Sequence, residues 1–207
     1  MISDIFYGTG FGLVAPIVAI FIKEGLTGGS IFAAGIATTV FILIKSIVQL
    51  PFSRYVDRHD RKLKWLKVGY ALIIFNPLIY IFADHMNYIY VAEAIHGIGS
   101  GLAFPAWLGL WSTHLDKGHE SFEWSLYSTV VGLGSAVTAA GGAAIAQFIG
   151  FNLTFALVEV MVIFGFIVLF FLDAKPVNRK DVALSRSTRN KSYMKKRGIN
   201  EHNHAVR

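Results

Sequence analysis

The sequence contains no cysteine among its 207 residues. This absence excludes disulfide bonds and thiolate metal sites, and we expect neither a metal nor a cofactor. Charge is also scarce, since Asp, Glu, Lys and Arg make up 15% of the residues, against about 25% in an ordinary soluble domain. Hydrophobic residues make up 54%. The composition therefore indicates a membrane protein.

Long apolar runs fill most of the chain before its C-terminal tail. A helix needs ~20 apolar residues to cross the ~30 Å hydrocarbon core of a bilayer, and six runs reach or approach that length. They are Ile5 to Ile22, Ile31 to Phe52, Trp65 to Ala83, Tyr88 to Trp111, Ser125 to Ile149 and Leu153 to Leu172. The sequence predicts an all-α membrane protein with six transmembrane helices in a domain over residues 1–174. Asn76-Pro77 predicts a kink in the third helix, because proline cannot donate to the helical ladder.

The basic residues are concentrated in the turn after the second run and in the tail from Lys175 to Arg207. Those of the turn are Arg54, Arg58, Arg61, Lys62, Lys64 and Lys67. Loops rich in Lys and Arg tend to stay on the cytoplasmic side, so both termini are expected there. The tail, residues 175–207, is basic and polar, which predicts a disordered segment near anionic membrane lipids. Nucleic-acid binding is not expected, because these residues do not lie on a soluble folded domain.

Several ionisable residues lie inside the apolar runs, where they usually face a bundle interior or a wet cavity. Lys45 shares one face of the second helix with Thr38 and Gln49, which predicts a polar path along that face. The alternative for Lys45 is a side chain that extends toward the inner membrane surface. Glu159, in the sixth run, has a similar alternative near the outer headgroups.

The fourth helix carries a second polar stripe, formed by Glu93, His96 and Ser100. Together with Lys45 and Gln49 these residues predict a path for a substrate or an ion. Lys45 and Glu93 differ in depth by roughly 13 Å at 1.5 Å per residue, so they are not expected to pair directly. Two alternatives stay open: Glu93 at the outer headgroups, and His96 as a neutral packing residue. Histidine can also change charge near physiological pH.

Small residues recur every four positions in the fourth and fifth helices. This spacing lets helix backbones approach closely in lipid, where packing drives helix association. The residues expected at such contacts are Gly97, Gly101, Gly134, Gly141 and Gly142. Simple helix packing explains the pattern, and the alternative is that the first, fourth and fifth helices surround a moving pathway.

The turn after the second helix resembles the hallmark loop of the major facilitator superfamily. The family has a glycine, an Asp-Arg pair four residues later, then a second glycine and two basic residues. This chain has Ser53, then Asp57-Arg58, and later Arg61-Lys62. Both glycines are replaced, by Ser53 and Asp60.

Two further segments resemble the same family. The fourth helix, from Glu93 through Gly101 to Pro105, is similar to the family pattern of an arginine followed by a glycine-rich run, with Glu93 in the arginine position. In the fifth helix, Ala140-Gly-Gly142 resembles the glycine-rich antiporter motif without its proline. The order and spacing of these motifs are most like those of the N-terminal half of such a transporter.

The resemblance implies a half-transporter that moves a small solute by alternating access, with ion or proton coupling left open. Asp57, Arg58, Arg61 and Lys62 would then act as a cytoplasmic gate motif. The resemblance also implies a second six-helix half. Either the chain is a fragment of a longer transporter, or it pairs with another copy in a homodimer or with a separate chain.

Other classes of function fit the sequence less well. An intramembrane serine protease would need a histidine base near Ser100, and the sixth run has no histidine. In a zinc protease a second histidine would follow His119-Glu120, but Glu123 occupies that place. We therefore expect no enzyme. A non-transporting membrane scaffold or assembly factor is the remaining alternative, and it would need no polar cavity.

Overall fold

The computed structural model describes residues 2–59, 61–116 and 118–171. Within these ranges the chain forms helices and no β-strand, which confirms the all-α class. In chain order the helices are α1 (Ile2–Val14), α2 (Val18–Gly25), α3 (Ile31–Arg58), α4 (Lys62–Ile73), α5 (Phe75–Phe82), α6 (Met86–His114), α7 (Glu120–Phe148) and α8 (Phe151–Val168). The tail predicted to be disordered, residues 175–207, lies outside the described residues.

Four helical stretches are long and apolar enough to cross a membrane: α3, α4 together with α5, α7 and α8. The bent pair of α1 and α2 supplies a fifth. These stretches make the chain an integral, multi-pass membrane protein. The fourth predicted span falls in α6, which is 29 residues long but is not among the apolar stretches. Polar residues such as Glu93 and His96 lower its mean hydropathy, so composition alone supports five of the six predicted spans.

Two helices are interrupted near a proline. The first span was predicted to be continuous, but α1 ends at Val14 and meets α2 at an angle of 44°. Pro16 lies between them and has no N–H to donate to the helical ladder. Similarly, α4 ends at Ile73 and α5 begins after Ile74. Pro77 has no N–H to donate to the carbonyl of Ile73, four residues earlier. The kink predicted at Asn76-Pro77 is therefore a break three residues earlier.

The charged turn is shorter than the sequence suggested. The second span was predicted to end at Phe52, but α3 continues to Arg58, and the Ser53 hydroxyl donates to the Leu50 carbonyl over 2.8 Å. Arg58 in the last helical turn complements the negative end of the helix dipole. Only residues 59–61 separate α3 from α4.

Three short loops lie together at the opposite end of α3. The Thr27 N–H donates to the Asp84 carbonyl over 3.0 Å, and the Met86 N–H donates to the Thr27 carbonyl over 3.1 Å. Gly150 and Asn152 line a groove that Thr27 and Asp84 also line. The helices α3 and α6 therefore start at the same end and run in the same direction.

Helix α6 packs closely between α3 and α4 through its glycines. A Cβ atom at Gly97 would lie 2.9 Å from the Phe41 carbonyl oxygen, and one at Gly101 would lie 2.8 Å from Val48 Cβ. On the other side, a Cβ atom at Gly99 would lie 2.8 Å from the carbonyl oxygen of α4 residue Gly69. Side chains at these positions would push α6 away from both neighbours.

A second close contact joins α1 to α7. A Cβ atom at Gly142 would collide with the Leu13 carbonyl, and one at Gly134 would lie 3.0 Å from Thr9 Oγ1. Gly141 differs, since a Cβ atom there would meet nothing within 4 Å among the described residues. Of the two adjacent glycines, only Gly142 is required by the packing that the structure describes.

Candidate functional site

Two cavities lie along the polar faces of α3 and α6. The first cavity, about 420 Å³ in volume, is lined by residues of α1, α3, α4, α6 and α7, including Lys45 and Ser100. The second cavity, about 310 Å³, is lined by residues that include Thr38, Glu93 and His96. The sequence predicted a single polar path. The structure places Lys45 and Ser100 at the first cavity and Glu93 and His96 at the second, which lies nearer the end with the three loops.

Glu93 is held by side chains of α5 in the wall of the second cavity. Its Oε1 atom accepts hydrogen bonds from the Tyr80 hydroxyl over 2.7 Å and from Asn76 Nδ2 over 3.1 Å. Both donors are buried, with exposed fractions of 3% and 4%. Such burial is stable only because these polar groups satisfy one another. Glu93 is therefore held between α5 and α6.

His96 lies one helical turn after Glu93 and is enclosed by aromatic rings. Its imidazole stacks between Phe11 and Phe41, with ring centroids 4.8 Å and 4.4 Å away. Its Nδ1 atom is 3.7 Å from Glu93 Oε2, and its Nε2 atom is 3.1 Å from the Tyr7 hydroxyl oxygen. Because Tyr7 lines the first cavity and His96 the second, their contact lies between the two.

Lys45 lies on the wall of the first cavity. Its ammonium lies 5.1 Å from the centroid of the Phe104 ring and 5.7 Å from that of Phe41. Among the described residues no carboxylate lies within the 4.0 Å of an ion pair. Ser100, one helix away, is buried, and its hydroxyl has no hydrogen-bond partner in the described part of the chain. Both groups are therefore available to a bound molecule.

The residues of the predicted gate motif lie at the other end of α3. Asp57 lines a groove that Gln49 and Pro105 also line, and its side chain is exposed. Arg58 and Arg61 are exposed as well. Lys62 instead packs along α6, where a Cβ atom at Gly109 would lie 3.0 Å from its Cε atom. The structure thus separates Gln49 from Lys45, with which it was grouped in the predicted path.

Sequence reasoning missed three members of the buried network: Tyr7, Asn76 and Tyr80. Asn76 was interpreted only as part of a kink, although its spacing of four from Tyr80 places both on one helix face. No sequence signal marked Tyr7. Glu159 is buried on α8 and lines neither cavity, and its Oε2 atom lacks a hydrogen-bond partner among the described residues. In the same ranges, no three His, Asp or Glu side chains are grouped as metal ligands would be.

A family model described as Major Facilitator Superfamily matches residues 1–200. No curated protein matches the chain significantly. The matched region includes both cavities and every helix that the structure describes.

Proposed function

Because the chain belongs to the major facilitator superfamily, whose members are secondary transporters rather than enzymes, we propose that it moves a small solute across the membrane by alternating access. The path runs along α1, α3 and α6, through the first and second cavities. The substrate side chains are Lys45 and Ser100 in the first cavity and Glu93 and His96 in the second. Glu93 and His96 also supply a site where an ion or a proton can couple to movement.

The observation that carries this proposal is the contact between Tyr7 and His96. It lies between two cavities that face the same helix pair, so the path is closed there. Opening the path requires the side chains of Tyr7 on α1 and His96 on α6 to separate. A scaffold would not need these two cavities.

The turn between α3 and α4 fits the role of a gate. Asp57 is exposed beside a groove at the end of α3, with Arg58 and Arg61 next to it. A carboxylate accepts charge-assisted hydrogen bonds from any donor group that docks in this groove. We assign Asp57, Arg58, Arg61 and Lys62 to a latch that stabilises one of the two access states.

A second six-helix half completes the path. The helices α3 and α7 flank the first cavity. Among the four long apolar stretches they are the least covered by the rest of the chain, because 17% and 6% of the residues in their 18-residue apolar segments are buried, against 39% for α4 with α5. Membrane lipids cover such faces in part. The remainder is the surface on which a second six-helix half packs.

Cysteine substitution at both cavities tests alternating access. Ser100→Cys is expected to react with an impermeant maleimide only from the side of the basic turn, and Thr38→Cys only from the opposite side. Prior labelling of Ser100→Cys should slow the reaction of Thr38→Cys about tenfold in the double variant, because one open state excludes the other. Rates are measured in membrane vesicles of known sidedness.

The matched control is Ile42→Cys, on an exposed apolar face of α3, which should stay unreactive from both sides. Asp57→Asn should change the ratio of the Ser100→Cys and Thr38→Cys rates if the latch assignment is right. Independent reaction of the two cysteines, or no reaction at either, would leave the scaffold as the better function.

The basic turn is expected to face the cytoplasm together with both termini, since Lys and Arg are concentrated there. His59→Cys, at an exposed position, should therefore react only in inverted vesicles, and Thr27→Cys only in right-side-out vesicles. Thr27 is a better marker than its neighbour Gly28, whose φ of 78° would strain a cysteine. The reverse pattern would invert the orientation and leave the helix packing unchanged.

A further inference from the structure

The first cavity has the chemistry of a binding site for a negatively charged aromatic molecule. Its volume of about 420 Å³ falls within the ~300–1,000 Å³ of small-molecule sites. Thirteen of the described residues line it, and Lys45 is the charged one among them. These residues include no Asp or Glu, so an anion entering the cavity meets attraction from Lys45 and no repulsion from a carboxylate of the described lining.

Among the described residues Lys45 has no ion-pair partner, although charged side chains inside membrane spans normally pair with an opposite charge or with backbone carbonyls. Its contacts with the Phe104 and Phe41 rings stabilise the ammonium but do not neutralise its charge. An anionic ligand would complete the compensation when it binds.

The wall of the first cavity facing α7 is aromatic. Trp107 lies 5.9 Å from Trp124 and 5.3 Å from Tyr127, measured between ring centroids. All three rings line the cavity, as do Tyr7 and Tyr70. Such rings accept another ring in stacked or edge-on geometry.

Two buried hydrogen-bond donors in the same lining have no partner among the described residues. They are the Ser100 hydroxyl and the Trp107 indole N–H. An indole N–H can only donate, so it requires an acceptor on the ligand. Carboxylate oxygens supply such acceptors. An aromatic box alone would also suit an organic cation, but Lys45 on the wall repels one.

We propose that the first cavity binds an aromatic carboxylate, with the carboxylate at Lys45 and the ring against Trp107, Trp124 and Tyr127. The claim that aromatic carboxylates are the transported solutes rests on the proposed function. The claim that the first cavity binds such a molecule rests only on the lining of the cavity. The two are therefore tested separately.

The test uses the full chain in phosphatidylcholine nanodiscs and three nitroaromatic probes that quench tryptophan fluorescence. The probes are 4-nitrobenzoate, neutral 4-nitrobenzyl alcohol and cationic 4-nitrobenzylammonium. We expect 4-nitrobenzoate to bind at least about tenfold more tightly than the alcohol, a difference of ~1.4 kcal/mol. Partition into lipid cannot produce this order, because the charged acid enters lipid less than the alcohol does.

Variants then assign the preference to residues. Lys45→Gln should remove the preference for the acid, Lys45→Arg should keep most of it, and Lys23→Gln, at an exposed position, should leave it unchanged. Trp107→Leu should weaken 4-nitrobenzoate severalfold and leave cyclohexanecarboxylate, measured by calorimetry, nearly unaffected. Circular dichroism checks that each variant is folded.

Four results would each overturn the assignment. They are tightest binding of the ammonium probe, equal binding of acid and alcohol, an unchanged preference in folded Lys45→Gln, and no quenching by any probe. If that happens while Ser100→Cys and Thr38→Cys still exclude one another, the ligand class is wrong and alternating access stands. Binding of 4-nitrobenzoate without that exclusion would instead leave a binding site and remove the transport mechanism.

Discussion

Replacing Glu93 by leucine is expected to lower the free energy of unfolding by about 2–6 kcal/mol, because two buried donors each lose their acceptor at a cost of about 1–3 kcal/mol. The carboxylate accepts hydrogen bonds from the Tyr80 hydroxyl and from Asn76, and both donors are buried. Leucine would leave them without an acceptor. Glu93→Gln keeps an oxygen for these donors, so its expected loss is smaller, about 1–3 kcal/mol.

Unfolding in mixed dodecyl maltoside and dodecyl sulfate micelles measures these differences. Glu24→Gln, at an exposed site on α2, is the control and should have little effect. Adding Tyr80→Phe to Glu93→Leu should recover part of the lost stability, because it removes one of the orphaned donors. If Glu93→Leu proves as stable as the original chain, the network does not stabilise the fold.

Gly142→Val is expected to destabilise the chain by about 1–3 kcal/mol or more, because overpacking forces backbone shifts. Its Cβ atom would collide with the Leu13 carbonyl, and a backbone atom cannot move aside by rotamer change. The helices α1 and α7 would have to separate. The same micelle titration measures the loss.

The adjacent glycine provides the matched control. Gly141→Ala meets no described atom within 4 Å, and alanine is a better helix former by about 1 kcal/mol. Its stability should therefore be unchanged or higher, while Gly142→Ala should already be lower. Equal effects at the two positions would show that α1 does not pack on this face of α7.

Much of the helical layout was predictable, because hydropathy is a local property summed over about twenty residues. The residues at which helices begin and end were harder to predict from the sequence. The helices α3 and α6 continue past Pro51 and Pro105, whereas interruptions occur near Pro16 and Pro77. Proline removes one hydrogen bond in every case, and neighbouring side chains decide whether the freed carbonyl is satisfied. Whether a helix continues past a proline therefore depends on its packing against neighbouring helices, which the sequence pattern of that helix alone does not show.

The candidate site was predictable only in part. Helical spacing places Glu93 and His96 on one face of their helix. Glu93 and Lys45 lie at different depths along their helices, so they were not expected to pair. Both expectations agree with the structure, where Glu93 and Lys45 line different cavities. The partners Asn76, Tyr80 and Tyr7 come from α5 and α1, and their contacts depend on how those helices cross α6.

The sequence by itself determined that this chain is helical, lies in a membrane and belongs to a transporter family. Those properties follow from composition, charge placement and motif spacing along one dimension. Only the tertiary structure divided the polar residues between two cavities and placed Lys45 among aromatic rings without a carboxylate. The reason is geometric: helix periodicity determines which residues share a face, whereas helix crossing and the close approach of glycines determine what that face meets.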